Sequence, residues 1–143
     1  MASLDKKTIQ EKLRKLQEVV GKLEACKKVS LKAFLKDDQT ADAAMYNLII
    51  GIEVIVDIGN HILSEVFQIK AEDYSAVIKK LGQTKIIPEK FVEDNRDMAK
   101  FRNLLVHEYG QVDLEKVYEH LQKAPGIFRQ FARYFMDFLE KIK

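Results

Sequence analysis

The sequence has few of the residues that mark specialised folds: one cysteine, two prolines, six glycines and no tryptophan among 143 residues. A lone Cys26 cannot form an internal disulfide, which excludes a disulfide-stapled scaffold. The longest run without a charged residue, 43–52, covers ten residues, whereas a membrane-spanning helix needs roughly 20 apolar residues. The N-terminal residues lack an apolar signal segment. We therefore expect a cytoplasmic protein that does not cross a membrane.

The charges are nearly balanced, with 24 Lys and Arg against 22 Asp and Glu and a formal net charge of +2. A protein that binds nucleic acid through bulk electrostatics carries a larger excess of positive charge. Any polyanion must therefore be held at a local site. The chain is long enough to bury a core without disulfides or metals, and we predict a single domain spanning residues 1–143.

Apolar residues recur at helical spacing, and no segment shows the alternation typical of a strand. A first helix is predicted after a cap at Ser3. A second, long helix is predicted to open after Asp37 and to reach about Lys70. Because this helix is apolar nearly all round, we expect it to be covered on several sides. It should be the central element of the fold.

Turn-forming residues mark the later boundaries. Pro88 occupies the favoured first position of a helix that should run to Tyr109, where Gly110 stops it. The C-terminal region should form two helices separated by Pro125-Gly126. The predicted fold class is all-α, an up-down helical bundle with a long central second helix.

Four polar residues form a narrow stripe on the long helix: Glu53, Asp57, Asn60 and Ser64. Their spacing of i, i+4, i+7 and i+11 places them on one side of the helix. This stripe either meets water or lines a cleft. Asp57 ranks first as a supporting residue because its carboxylate could hold an arginine.

Arg102 is the most unusual residue of the predicted helix Pro88–Tyr109. On a helical wheel at about 100° per residue, it projects from the middle of the apolar half. A guanidinium placed there costs several kcal/mol unless it meets an anion. That anion is either an internal carboxylate, from Asp57, Glu53 or Asp94, or a bound ligand.

His107 follows Arg102 by five residues, which is about 140° around an ideal helix. Either the helix ends irregularly, or the histidine meets an arginine from a second subunit. Its place in the last turn favours the imidazolium and makes it a candidate acid or base. An arginine and a histidine suit a phosphodiester, because the arginine can neutralise phosphate charge while the histidine moves a proton.

Residues 102–109, Arg-Asn-Leu-Leu-Val-His-Glu-Tyr, resemble the R-x4-H-x-Y motif of HepT-like proteins, the ribonuclease toxins of the HEPN superfamily. The resemblance extends to residues 53–63, which are similar to that family's long second helix. Residues 34–37 and 112–113 are similar to its connections. The likeness covers nearly the whole chain and implies an all-α HEPN-like fold.

The resemblance also implies site residues, partners and chemistry. Arg102 and His107 would be catalytic, Asn103 a polar assistant and Tyr109 a residue of the cleft. The active form would be a homodimer whose two motifs face each other and cut RNA without a metal or other cofactor. The partner would be a minimal nucleotidyltransferase (MNT) antitoxin, which can adenylylate the motif tyrosine.

The function expected from the sequence is that of a metal-independent endoribonuclease toxin in a type II-like HEPN/MNT toxin–antitoxin system. An alternative is a non-catalytic HEPN module that binds a nucleotidyltransferase partner or a nucleotide. Among the remaining polar residues, His120 is predicted to lie on the surface and Cys26 in the core.

Overall fold

A computed structural model describes residues 4–142 and confirms the predicted all-α class. No strand occurs within this range. Seven α-helices follow one another: α1 Lys6–Lys27, α2 Leu31–Lys36, α3 Asp38–Phe67, α4 Tyr74–Gln83, α5 Glu89–Asp94, α6 Met98–His107 and α7 Leu114–Lys141. A short 3₁₀ turn, Tyr109–Gln111, joins α6 to the last connection.

The N-terminal cap lies at Asp5, whose carboxylate accepts a hydrogen bond from the Thr8 amide at 3.1 Å. The cap predicted at Ser3 lies outside the described residues. Cys26, near the end of α1, is half-buried rather than fully in the core. No helix within residues 4–142 is long and apolar enough to span a membrane.

Helix α3 is the centre of the bundle, as its apolar composition predicts. It contacts α1, α2, α4, α6 and α7, and residues all around it are buried. Two glycines permit close approach of its neighbours. A Cβ added at Gly51 would clash with the ring of Phe128 on α7, and one at Gly59 would lie 2.8 Å from Leu81 on α4. Glycine at these positions therefore sets how closely the helices pack.

The single helix predicted for Pro88–Tyr109 is wrong, because α5 and α6 are separate. The amide of Asn95 bonds to the carbonyl of Val92, and that of Met98 bonds to the carbonyl of Asn95, so the chain turns more tightly than an α-helix. The Asn95 side chain also donates to the carbonyl of Phe91 at 2.8 Å. Side chains of this type compete with regular helical bonding. The break gives the motif its own short helix, α6.

The interruption predicted at Pro125-Gly126 is also wrong. Helix α7 continues through Pro125 for a total of 28 residues. A proline inside a helix costs about 3 kcal/mol. Burial of the phenylalanines that follow, at roughly 1.5–3 kcal/mol each, offsets this cost because one continuous helix places Phe128, Phe131 and Phe135 in the core.

Candidate active site

Helix α6 packs against α3 and α4, and Arg102 lies near its middle. The Arg102 Nη2 group donates a hydrogen bond to Oε2 of Glu53 on α3. The two side chains are 19% and 29% exposed, so the ion pair is partly removed from water. A charged hydrogen bond of this kind is stronger than a neutral one. Arg102 therefore has an anionic partner within the chain, and that partner is Glu53.

Tyr74, the first residue of α4, forms a second contact with Arg102. The guanidinium carbon lies 4.5 Å from the centroid of the tyrosine ring, within the range of a cation–π interaction. Burial raises the pKa of the Tyr74 hydroxyl; the positive charge of Arg102 opposes this shift, and the negative charge of Glu53 adds to it. The guanidinium thus packs against the face of the Tyr74 ring.

Asn103 provides a third contact. Its Oδ1 atom accepts a hydrogen bond of 3.2 Å from Nη1 of Arg102. The Arg102 Nε–H group is buried and has no hydrogen-bond partner within the described part of the chain. A carboxylate, an aromatic ring and an amide thus fix the arginine, while not all of its donors are used.

The expectation that Asp57 holds Arg102 is wrong. The Asp57 carboxylate is 58% exposed and lies 3.8 Å from Nζ of Lys12 on α1. Arg102 bonds instead to Glu53, one helical turn earlier on α3, because α6 meets α3 at that turn. The remaining candidate, Asp94, pairs with Lys90 at 3.1 Å.

The polar stripe of α3 lies partly against another helix and partly in water. Glu53 is half-buried against α6, whereas Asp57, Asn60 and Ser64 are exposed. The stripe therefore meets the motif helix at one end and water along the rest of its length.

His107 is the last residue of α6, and its side chain is exposed. No hydrogen bond or ion pair between residues 4 and 142 joins its imidazole to Arg102. The amide of Glu108 bonds to the carbonyl of Leu104 at 2.9 Å, which closes the helix at this point. The imidazole is thus available to a ligand or to a second molecule.

Tyr109 opens the 3₁₀ turn after α6. Its hydroxyl donates a hydrogen bond of 3.0 Å to Oδ1 of Asp42 on α3, and its side chain is 42% exposed. Burial raises the pKa of Tyr109, and the hydrogen bond and negative charge of Asp42 raise it further. The tyrosine is therefore accessible, protonated and tied to α3.

The sequence analysis missed Asp42, although a signal was present. Asp42 precedes Glu53 by eleven residues, which is close to three helical turns. Extending the polar stripe toward the start of α3 would have placed Asp42 on the same side as Glu53. The motif segment thus contacts one face of α3 at two points, through Arg102 and Tyr109.

Large hydrophobic side chains near the motif are exposed. They are Tyr46 on α3, at 59%, and Leu104 and Val106 on α6, at 41% each. When such side chains occur together, they are typical of surfaces that contact another molecule.

Within residues 4–142, no three His, Cys, Asp or Glu side chains are grouped as a metal site requires.

His120 on α7 is exposed, as predicted, and its ring stacks on Phe101 of α6, with centroids 3.7 Å apart. Burial of one ring face lowers the pKa of His120, and the charge of Lys123 lowers it further. The stack joins α6 to α7 and adds a titratable group to the contacts of the motif helix.

The sequence matches a family of known proteins. The family model described as ribonuclease HepT-like matches residues 8–135. A putative RNase from Archaeoglobus fulgidus is 34% identical over 100 residues, which cover 68% of this chain and 74% of the relative. The tRNA nuclease HepT from Aphanizomenon flos-aquae is 24% identical over 147 aligned positions, which cover 99% of each chain.

A solved structure shows the same fold. The tri-AMPylated HEPN toxin of Shewanella oneidensis, in complex with an MNT antitoxin, superposes with a TM-score of 0.82. The superposition covers 90% of this chain and 96% of the toxin, at 22% sequence identity. At this level of identity the likeness shows the fold alone.

Proposed function

Because the chain belongs to the HepT-like ribonuclease family, we propose that it is a metal-independent endoribonuclease toxin of a type II-like HEPN/MNT toxin–antitoxin system. In this proposal, RNA binds in a cleft between two copies of the chain. Arg102 binds the scissile phosphate and His107 transfers protons. Asn103 assists by holding the guanidinium.

The observation that carries the proposal is the fixation of Arg102 by Glu53 and Tyr74. Catalysis of phosphoryl transfer depends on charge that is already in place where the transition state develops negative charge. A guanidinium held by two other helices loses little freedom when it binds a phosphate.

The proposed reaction uses the 2′-hydroxyl of the RNA as the nucleophile. A His107 imidazole takes the proton of this hydroxyl, and the oxygen forms a bond to phosphorus. The bond from phosphorus to the 5′-oxygen breaks, and this oxygen receives a proton from an imidazolium. The products are a 2′,3′-cyclic phosphate and a 5′-hydroxyl. Single-stranded RNA is the favoured substrate, because it can adapt its backbone to the cleft.

Exposed groups support the homodimer. The His107 imidazole has no partner within residues 4–142, and Tyr46, Leu104 and Val106 offer apolar surface near it. Association of two copies through α3 and α6 would cover these side chains. It would also bring the histidine of one copy toward the arginine of the other, which is the arrangement that the five-residue spacing leaves open.

The partner in this proposal is an MNT nucleotidyltransferase that adenylylates Tyr109. Tyr109, the last residue of the motif, is 42% exposed, and a toxin of the same fold is AMPylated in its complex with an MNT antitoxin. Adenylylation would add a bulky anion two residues from His107. RNA phosphates would then be repelled from the cleft.

An RNA cleavage assay in EDTA tests the nuclease. We expect the wild-type chain to cleave single-stranded RNA to products that end in a cyclic phosphate. The His107→Ala variant should lose this activity while its helical circular dichroism persists. His61→Ala, which removes a half-buried histidine from α3, is the matched control and should stay active.

Equal cleavage by the wild type and by His107→Ala would indicate a contaminating nuclease and contradict the proposal. It would favour the non-catalytic module, which binds a nucleotidyltransferase or a nucleotide. That module predicts tight binding of the partner protein with no RNA cleavage at all.

A further inference from the structure

Tyr109 and Asp42 form a contact that the ribonuclease reaction does not use. The phenolic O–H group points at the Asp42 carboxylate with 3.0 Å between the oxygens. The residues are 67 positions apart in the sequence, so the contact depends on the packing of the motif segment against α3. Both residues are exposed. The pair is thus a nucleophile and a carboxylate base at hydrogen-bond distance on an open surface.

We propose that Asp42 is the general base that accepts the phenolic proton when a nucleotidyl group is transferred to Tyr109. This inference rests on the adenylylation of Tyr109 within the proposed function. It adds that the toxin itself supplies a catalytic group for its own modification, while the nucleotidyltransferase supplies the bound nucleoside triphosphate.

Oη of Tyr109 attacks the α-phosphorus of ATP, and the new Oη–P bond forms as the bond from the α-phosphorus to the oxygen that bridges it to the β-phosphorus breaks. Pyrophosphate leaves. The phenolic proton moves to the Asp42 carboxylate and then to water. No oxidant or reductant is needed.

A base is required because the phenol does not ionise readily. Burial and the negative charge of Asp42 both raise the pKa of Tyr109, so the phenolate is scarce near neutral pH. A carboxylate that already accepts the hydrogen bond can remove the proton during the attack. Within residues 4–142, no other side chain forms a hydrogen bond with the Tyr109 hydroxyl.

Tyr109 is also open to solvent. Tyr109 is 42% exposed, so a nucleotide held by another protein can approach from solvent while Asp42 stays on the side of α3. After transfer, Oη carries a phosphodiester and no proton. The hydrogen bond to Asp42 is then lost, and two negative groups lie side by side.

The test measures the rate of AMP incorporation by intact-protein mass spectrometry, with the full-length chain, its MNT nucleotidyltransferase and Mg-ATP. Asp42→Asn keeps an oxygen acceptor for Tyr109 but is not a base. We expect the kcat for transfer to fall about 100-fold or more, with the KM values for ATP and for the toxin nearly unchanged. Asp42→Glu should restore part of the rate.

Asp38→Asn is the matched control, because it removes an exposed carboxylate one helical turn before Asp42. Its transfer rate should equal that of the wild type. Tyr109→Phe should gain no mass and thus shows that the increment belongs to this tyrosine. Circular dichroism of each variant confirms that the fold is intact.

The outcomes separate this inference from the proposed function. A wild-type rate in Asp42→Asn, or a loss confined to the KM for the toxin, would overturn the role of Asp42 and leave the modification standing. No mass increment on the wild type would overturn both the modification and the role of Asp42. The RNA cleavage assay would still report independently on the nuclease.

Discussion

The carboxylate of Glu53 accepts a hydrogen bond from the guanidinium of Arg102 and joins the middle of α3 to the middle of α6. The pair is partly shielded from water, with Arg102 only 19% exposed. Because less solvent screens the two charges than in bulk water, their mutual attraction holds the guanidinium more firmly. In the proposed reaction, Glu53 would be a positioning residue for Arg102.

Replacing Glu53 with Gln should lower the kcat for RNA cleavage by roughly 10- to 100-fold, because a small displacement of a catalytic group has effects of this size. The matched control is Asp57→Asn, which removes a carboxylate from the same side of α3 one turn later. We expect that control to cleave RNA normally. Equal losses in the two variants would argue for a general effect of charge and against positioning.

Tyr74 offers a separate test of how Arg102 is held. Tyr74→Phe keeps the aromatic face and should leave RNA cleavage and stability nearly unchanged. Tyr74→Leu removes the cation–π contact, which is worth about 0.5–2 kcal/mol, and should lower both the melting temperature and kcat. Thermal unfolding and single-turnover cleavage measure the two effects. A Phe variant as impaired as the Leu variant would point to the hydroxyl instead.

Substitution by alanine should change stability in opposite directions at Gly51 on α3 and Gly21 on α1. A Cβ at Gly51 meets the ring of Phe128, whereas nothing lies within 4 Å of a Cβ at Gly21. We expect Gly51→Ala to destabilise the fold by about 1–3 kcal/mol through overpacking. Gly21→Ala should stabilise it by roughly 0.5–1 kcal/mol through helix propensity. Urea unfolding gives both values, and equal signs would contradict the packing of α3 on α7.

His120 should make stability depend on pH. Burial lowers its pKa below the ordinary value of 6.5, and Lys123 and Lys116 act in the same direction, against Glu119. As the pH falls below 6.5, the unfolded chain binds the proton first, so the free energy of unfolding decreases. The contribution is fully present above pH 6.5.

Melting temperatures of the wild type and of His120→Gln, measured between about pH 5 and 8, test this sign. The wild type should lose stability more steeply on acidification than the variant does. Parallel curves would show that the stack on Phe101 does not perturb the histidine in the folded chain.

The sequence predicts α3 well because a long helix that is apolar nearly all round has few alternatives. Its observed bounds, Asp38–Phe67, lie close to the predicted ones. The two errors in helix boundaries have local causes that compete with the pattern. Asn95 bonds back to the carbonyl of Phe91 and supports a break in a periodic segment, whereas the buried rings after Pro125 keep a helix continuous through a proline.

The sequence also identifies Arg102 as a residue that needs an anion, but it does not select the anion. Glu53 and Asp57 lie on one side of α3, one turn apart, and the choice between them depends on where α6 crosses that helix. Asp42 was missed for a related reason. Its contact with Tyr109 joins segments 67 residues apart, and helical periodicity describes one helix at a time.

Helix α3 contacts the motif segment at two points, Asp42 and Glu53, separated by eleven residues and so by roughly 16 Å along the axis. An adduct on Tyr109 would remove the hydrogen bond at Asp42 and leave the ion pair at Glu53 in place. His107 lies between the two motif residues that make these contacts, so the modification would release the chain on one side of the histidine and leave the other side held.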